Sequence, residues 1–183
     1  LGGYEDIINR RVRFIGDAQL RIREDALRIL RFFRFFAWYG QGRPDAVGLK
    51  ACASNRNLMH NLSSERIWTE LKKLLAAEDP GRALLWMRTT GVLNRLLPET
   101  EKWGIDASPG LIKLERELAI PPDPMLRLTA MIRPHVETVE GIAQRLSFAN
   151  VERQRLLDWA ESSAPSVSID EKQLRKELYL QPE

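Results

Sequence analysis

The chain has 183 residues, 44% hydrophobic and 29% charged, enough apolar material for one large or two small domains. No window approaches the roughly 18 consecutive apolar residues of a membrane span, and the first residues lack the basic and apolar regions of a secretory leader. The single cysteine, Cys52, excludes an internal disulfide and fits a reducing cytoplasm. With only His60 and His135 beside it, there is no zinc-ligand pattern.

Net charge is +3, but it is unevenly placed. Arg10, Arg11, Arg13, Arg21, Arg23, Arg28, Arg31 and Arg34 stand against Asp17, Glu24 and Asp25, so residues 10–34 carry +5 and the remainder −2. An arginine field of this kind suits a phosphate-bearing ligand. It also suits a solvated helix face whose arginine stems cover apolar surface.

In chain order, residues 11–16 alternate polar and apolar and stop at Gly16-Asp17, which predicts a short strand. A lone strand needs a partner, so its sheet is expected in sequence before Leu1, and the chain is read as starting inside something larger. Residues 19–40 predict one helix, because Ile22, Ala26, Ile29, Leu30, Phe33 and Ala37 share an arc. Gly40, Gly42 and Pro44 end it. A second helix is expected over 44–60, and a third capped by Ser63 or Ser64 and carrying Ile67, Trp68, Leu71, Leu74 and Leu75. Asp79-Pro80 breaks that one. Further helices are expected over 81–90, 92–97, 109–119, 124–133, 135–146, 150–161 and 170–180, with a loop at 100–110 and a linker at 164–168. The predicted fold is therefore an all-α array of about nine to ten helices with a short remnant strand near the N-terminus.

The motifs of several chemistries are missing. There is no phosphate-binding glycine loop, no nucleophile triad at recognisable spacing and no alternating acidic pair on a strand that would hold two metals. No catalytic residue and no metal ligand is assigned. The informative block is residues 21–35. If it is helical throughout, Asp25 and Arg28 lie about 60° apart on one side, with Glu24, Arg28, Arg31 and Phe35 as an adjacent stripe. Cytosine and adenine both present an amino donor beside a ring acceptor. A carboxylate accepts from the first and a guanidinium donates to the second. Uracil and guanine reverse that polarity and would leave the pair unmatched. The plain alternative is an i,i+3 salt bridge worth roughly 0.2–0.5 kcal/mol.

Five segments in order carry a family resemblance: Gly2-Gly3 through Asp6-Ile7; Arg13 to Asp17; Glu24-Asp25-x-x-Arg28 with Arg31, Arg34 and Phe35; Ser63 to Arg66 with Glu70; and Leu84 to Pro98. Together they resemble the class II tRNA nucleotidyltransferase and bacterial poly(A) polymerase family from residue 2 to about 98. Ile7 stands where the family pattern has leucine. The resemblance implies that Asp25 and Arg28 form the protein template for the incoming base, with Glu24, Arg31 and Arg21 supporting the pocket. Arg56, Arg66, Lys72 and Lys73 would be contacts to an RNA backbone. It further implies a preceding catalytic head holding Mg2+, with residues 1–17 as the end of that head, 18–103 as neck and 104–183 as body and tail.

The expected function is the nucleotide-selecting, RNA-binding portion of a template-independent nucleotidyltransferase that adds C and/or A. Its partners would be tRNA or another RNA 3′ end and ATP and/or CTP, with no membrane. The chain alone would be inactive. The rival expectation is a stand-alone α-helical RNA- or protein-interaction module. Trp38, Tyr39, Trp68, Trp86, Trp103 and Trp159 could stack on bases, but on helices with apolar neighbours such residues are more often core, with Trp38-Tyr39 at a helix end the expected exception.

Overall fold

The computed structural model describes residues 2–162, with the side chains of residues 102 and 103 excepted. No strand forms among the described residues, and the helical class stands. The expected strand at 11–16 is instead extended chain with no ladder, because nothing lies beside it to accept its backbone groups. It is held from one side only. Gln41 N–H donates to Arg10 C=O at 3.0 Å, and the Phe14 ring stacks on Phe32 at 5.3 Å. Before it runs a short helix that the sequence pattern did not announce, α1 (Gly3–Ile8).

The predicted helix at 19–40 is two helices, α2 (Ala18–Glu24) and α3 (Leu27–Tyr39). Asp17 starts α2 by accepting from Leu20 N–H at 2.9 Å. The apolar arc crosses the break undisturbed: Ile22, Ile29, Leu30 and Phe33 are all almost fully buried. That continuity is why periodicity alone reads through it. The predicted second helix becomes α4 (Ala46–Asn55) followed by a 3-10 turn over Arg56–Asn61. Next comes α5 (Ser64–Leu75), with Ser63 Oγ accepting from Arg66 N–H at 3.4 Å.

Then follow α6 (Gly81–Thr89), α7 (Val92–Leu96) and α8 (Thr100–Trp103), the last lying in the expected loop. Gly91, at φ 73°, makes the left-handed turn from α6 into α7 that a side-chain-bearing residue would strain. The chain continues with α9 (Ser108–Glu117), α10 (Pro124–Thr129), α11 (Val136–Leu146) and α12 (Asn150–Glu161). The linker at 164–168 and the helix at 170–180 lie outside the described residues.

The core is organised by α3, which packs against α5 and α6, while α2 packs on α4, and α10 and α11 reach α5 from the far side. Leu27, Ile29, Leu30, Phe32, Phe33 and Phe36 of α3 are buried, each contributing roughly 1.5–3 kcal/mol. One apolar cluster extends from Ala18 to Leu157.

Inside it lies a charged staple. Arg127 and Glu115 are each 3% exposed. The guanidinium donates to the Glu115 carboxylate at 2.7–3.2 Å, and to the carbonyls of Leu75 (2.5 Å), Ala77 and Glu78 (3.3 Å). A cation thus closes the carboxyl end of α5, where the helix dipole favours positive charge, and ties α5 to α9 and α10.

Candidate nucleotide- and RNA-contacting site

The Glu24-Asp25-x-x-Arg28 block sits on the break between α2 and α3, not within a helix. Asp25 is extended at φ −153°, ψ 106°. Its Oδ1 accepts from Leu27 N–H at 3.1 Å, and its C=O accepts from Arg28 N–H at 3.1 Å. Asp25 therefore starts α3 as a side-chain cap, the use to which short acids are best suited. The helical-wheel angle between Asp25 and Arg28 expected from a continuous helix does not apply.

Arg28 turns to Glu24 instead. Its Nη1 donates to Glu24 Oε2 at 2.5 Å and to Arg21 C=O at 2.7 Å, while Arg21 Nη1 donates to the same Glu24 oxygen at 2.6 Å. The hydrogen bond from Arg28 is the main reason the Glu24 carboxyl lies below its ordinary value, with the Arg21 charge adding to it. Nε and Nη2 of Arg28 have no partner among the described residues and stay free as donors.

Asp25 takes a different partner, from 41 residues away. Arg66 Nη2 reaches both its oxygens, at 3.1 and 3.2 Å. Arg66, expected on an RNA backbone, thus holds the base-reading candidate. Four residues on, Glu70 is 5% exposed and is not a surface charge at all. It accepts from Arg34 Nε at 2.5 Å and from Arg31 Nε at 3.5 Å. The Arg34 guanidinium also lies over the Phe35 ring at 4.2 Å. The first turns of α5 are therefore the bracket that fixes the α2–α3 break.

Arg21, Arg28 and Arg31 come together on one cleft of about 260 Å³, shared with Val12, Arg13, Phe14, Ile15, Phe32 and Phe35. Four arginines, Arg13 among them, over an aromatic floor suit an anion or a flat base. Asp25 is not among the lining residues.

The remaining RNA-contact candidates are dispersed. Arg56 caps α4, donating to Ala53 C=O at 2.6 Å. Lys72 pairs with Glu152 Oε1 at 2.6 Å, and Trp68 Nε1 donates to Oε2 of the same carboxylate at 2.9 Å. Burial pushes Glu152 up, but the hydrogen bonds from Lys72, Trp68 and the Ala149 N–H outweigh it and hold the carboxyl below its usual range. Lys73 is exposed, and its side chain has no ion-pair partner among the described residues. Cys52 is buried, which pushes its thiol up to about 12 and leaves it unreactive.

Sequence reasoning named Glu70 only within a family segment and gave it no role, and it missed Glu152 and the Asp25–Arg66 contact. Glu70 had a signal: Arg31, Arg34 and Glu70 all fall on helix faces that carry apolar neighbours.

These features define an all-α module with an arginine-lined, aromatic-floored cleft at the α2–α3 break. Residues 46–103 match the family described as "Probable RNA and SrmB-binding site of polymerase A". A mitochondrial CCA tRNA nucleotidyltransferase 1 from Danio rerio is 37% identical over 159 residues, covering 82% of this chain and 35% of that protein. Its Homo sapiens counterpart is 51% identical over 78 residues, covering 40% and 17%. A CCA-adding enzyme from Geobacillus stearothermophilus is 41% identical over 98 residues, covering 53% and 24%. The chain belongs to the family of CCA-adding enzymes and bacterial poly(A) polymerases and corresponds to its carboxy-terminal part. It spans between 17% and 35% of the length of these three relatives.

Proposed function

We propose that this chain supplies nucleotide selection and RNA holding to a template-independent nucleotidyltransferase that adds C and/or A to tRNA or another RNA 3′ end, using ATP and/or CTP. The observation that carries the reading is the α2–α3 break. There Asp25, fixed by Arg66 and by the start of α3, accepts at its C=O from the N–H of Arg28, whose side-chain Nε and Nη2 remain free to donate. Asp25 accepts from the exocyclic amino group of C or A, and Arg28 donates to the neighbouring ring acceptor. Arg21 and Arg31 add positive charge for the phosphates, and Glu24 sets the direction of Arg28.

In this reading residues 1–17 close a catalytic head, 18–103 form the neck and 104–183 the body and tail. Magnesium belongs to that head's chemistry. Among the described residues no three or more His, Cys, Asp or Glu side chains are grouped so that they could hold a metal ion. No helix of the described residues is long and apolar enough to cross a membrane. The buried, unpaired cysteine favours the cytoplasm. Two of the relatives carry "mitochondrial" in their names, and cell fractionation decides between the compartments.

A second reading is a stand-alone α-helical RNA- or protein-interaction module. Its support is that Asp25 and Arg28 both have internal partners, Arg66 and Glu24, as purely structural residues would. Supplying each NTP separately to the full-length protein, with tRNA lacking its 3′ end and tRNA ending in CC, separates the two. Incorporation of C and then A, or of A alone, supports the first. No incorporation by folded, metal-supplied protein supports the second.

A further inference from the structure

At the far end of α3 lies an aromatic surface that the base-reading site does not use. Phe35, Trp38 and Tyr39 are 41%, 48% and 58% exposed on a helix whose other face is core. The Phe35 and Tyr39 rings are 6.0 Å apart and the Trp38 and Tyr39 rings 6.5 Å. The indole is not loose, because Trp38 Nε1 donates to Lys73 C=O at 2.7 Å and so fixes the ring plane across α3 and α5. Trp38 and Tyr39 line a cleft of about 450 Å³ together with Asp6, Ile7, Arg10, Arg11 and Val12.

The charge of that cleft is positive and available. Its one acid, Asp6, is taken by Arg13 at 2.6 Å, whereas Arg10 and Arg11 have no carboxylate partner among the described residues. Arg10 is also held at φ 47°, a left-handed conformation that side-chain-bearing residues avoid. The turn that closes α1 enforces it: Arg10 N–H donates to Ile7 C=O at 3.1 Å and Arg11 N–H to Asp6 C=O at 2.8 Å. Gln41 N–H then grips Arg10 C=O at 3.0 Å. Two adjacent arginines thereby share one cleft with two exposed aromatic rings. Val12 is shared with the Arg21–Arg28–Arg31 cleft, and Phe35 of that cleft meets Tyr39 of this one, so the two clefts form one path along α3.

We propose that Trp38 and Tyr39 are a stacking platform for the single-stranded end of the acceptor RNA, with Arg10 and Arg11 neutralising its phosphates. Flat ring faces beside free cations match a nucleotide strand better than an apolar polypeptide face, which would leave both arginines buried without partners. The proposal rests on the acceptor being RNA, as proposed above, and not on Asp25 reading the base.

The test uses the full-length protein and a short single-stranded RNA carrying 5-iodouridine at its last position. Photocrosslinking followed by peptide mapping is expected to mark Trp38 or Tyr39. Tyr39→Ala is expected to raise the KM for the RNA about tenfold, leaving the KM for the nucleotide and the preference for C and A unchanged, while Tyr39→Phe binds like the wild type. Arg10→Gln and Arg11→Gln, both at exposed positions, are each expected to flatten the salt dependence of RNA binding by about 0.7 in log–log slope. Crosslinks elsewhere, an RNA KM unmoved by Tyr39→Ala, or an unaltered salt slope overturns the platform. So does finding Trp38 and Tyr39 shielded from photo-oxidation before RNA is added, which would assign the face to protein. A failed base reading shows instead as unchanged selectivity in Asp25 variants, with these RNA effects intact.

Discussion

Arg127→Met should be among the most damaging single substitutions in the described chain. The wild-type guanidinium, 3% exposed, satisfies the Glu115 carboxylate and the carbonyls of Leu75, Ala77 and Glu78. Methionine fills much of the volume but donates nothing. Glu115 is left charged and unpaired at 3% exposure, a loss of about 3–5 kcal/mol, and the carbonyls at the end of α5 lose a partner as well. Urea denaturation of the full-length protein should show a midpoint lower by about 2 M at unchanged slope, taking about 2 kcal/mol/M for the slope.

Adding Glu115→Leu to Arg127→Met should recover a large part of the loss, because the stranded charge is then gone while the carbonyls remain unmet. A single mutant within about 0.3 M of the wild-type midpoint would refute the reasoning, since it would mean that water reaches Glu115. An unchanged midpoint on adding Glu115→Leu would show that the carbonyls, and not the acid, carry the cost.

Other predictions follow from the brackets around the site. Arg66→Ala frees Asp25 while leaving α3 its start, so discrimination against U and G should weaken at little cost to the midpoint of unfolding. Full discrimination in that variant, read by single-nucleotide incorporation, would remove Arg66 from the account. Glu152 titrates lower in the folded chain than its unfolded value of about 4.3. Its contribution is therefore present above that pH and is lost as pH falls through the folded value. Urea midpoints at pH 6 and at about pH 3.5 should fall less for Glu152→Gln than for the wild type. Equal falls would place the acid sensitivity elsewhere.

The helices were largely legible because their apolar positions recur at the helical period and their ends carry plain signals, as at Ser63 and Asp79-Pro80. The break at Asp25 was not legible, because Ile22, Ile29, Leu30 and Phe33 keep the period across it and the break costs no buried residue. The one signal in the sequence is the residue type itself, since a short acid such as Asp25 favours a helix start even inside a helical pattern. The residues at 11–16 do have a strand's alternation, but alternation describes a segment and says nothing of a neighbour to pair with.

At the site, the arginine field and the Glu24-Asp25-x-x-Arg28 block were visible in one dimension. The pairings were not, because Asp25 meets Arg66 and Lys72 meets Glu152 across 41 and 80 positions, and only the packing of α5 brings them together. Two of the expected RNA-contact residues, Arg66 and Lys72, have carboxylate partners within the protein. Arg10 and Arg11, counted in the field but given no role, keep their charge available.

The most direct test of the central claim is the selectivity of Asp25→Ala in the full-length protein, measured as incorporation of C against U, and of A against G, into tRNA lacking the corresponding 3′ nucleotides. If Asp25 accepts from the base's amino group, both ratios fall by about tenfold or more while tRNA binding is retained. If both ratios stay at the wild-type value in a folded variant, Asp25 is a helix cap and an Arg66 partner, and the choice of base is made elsewhere.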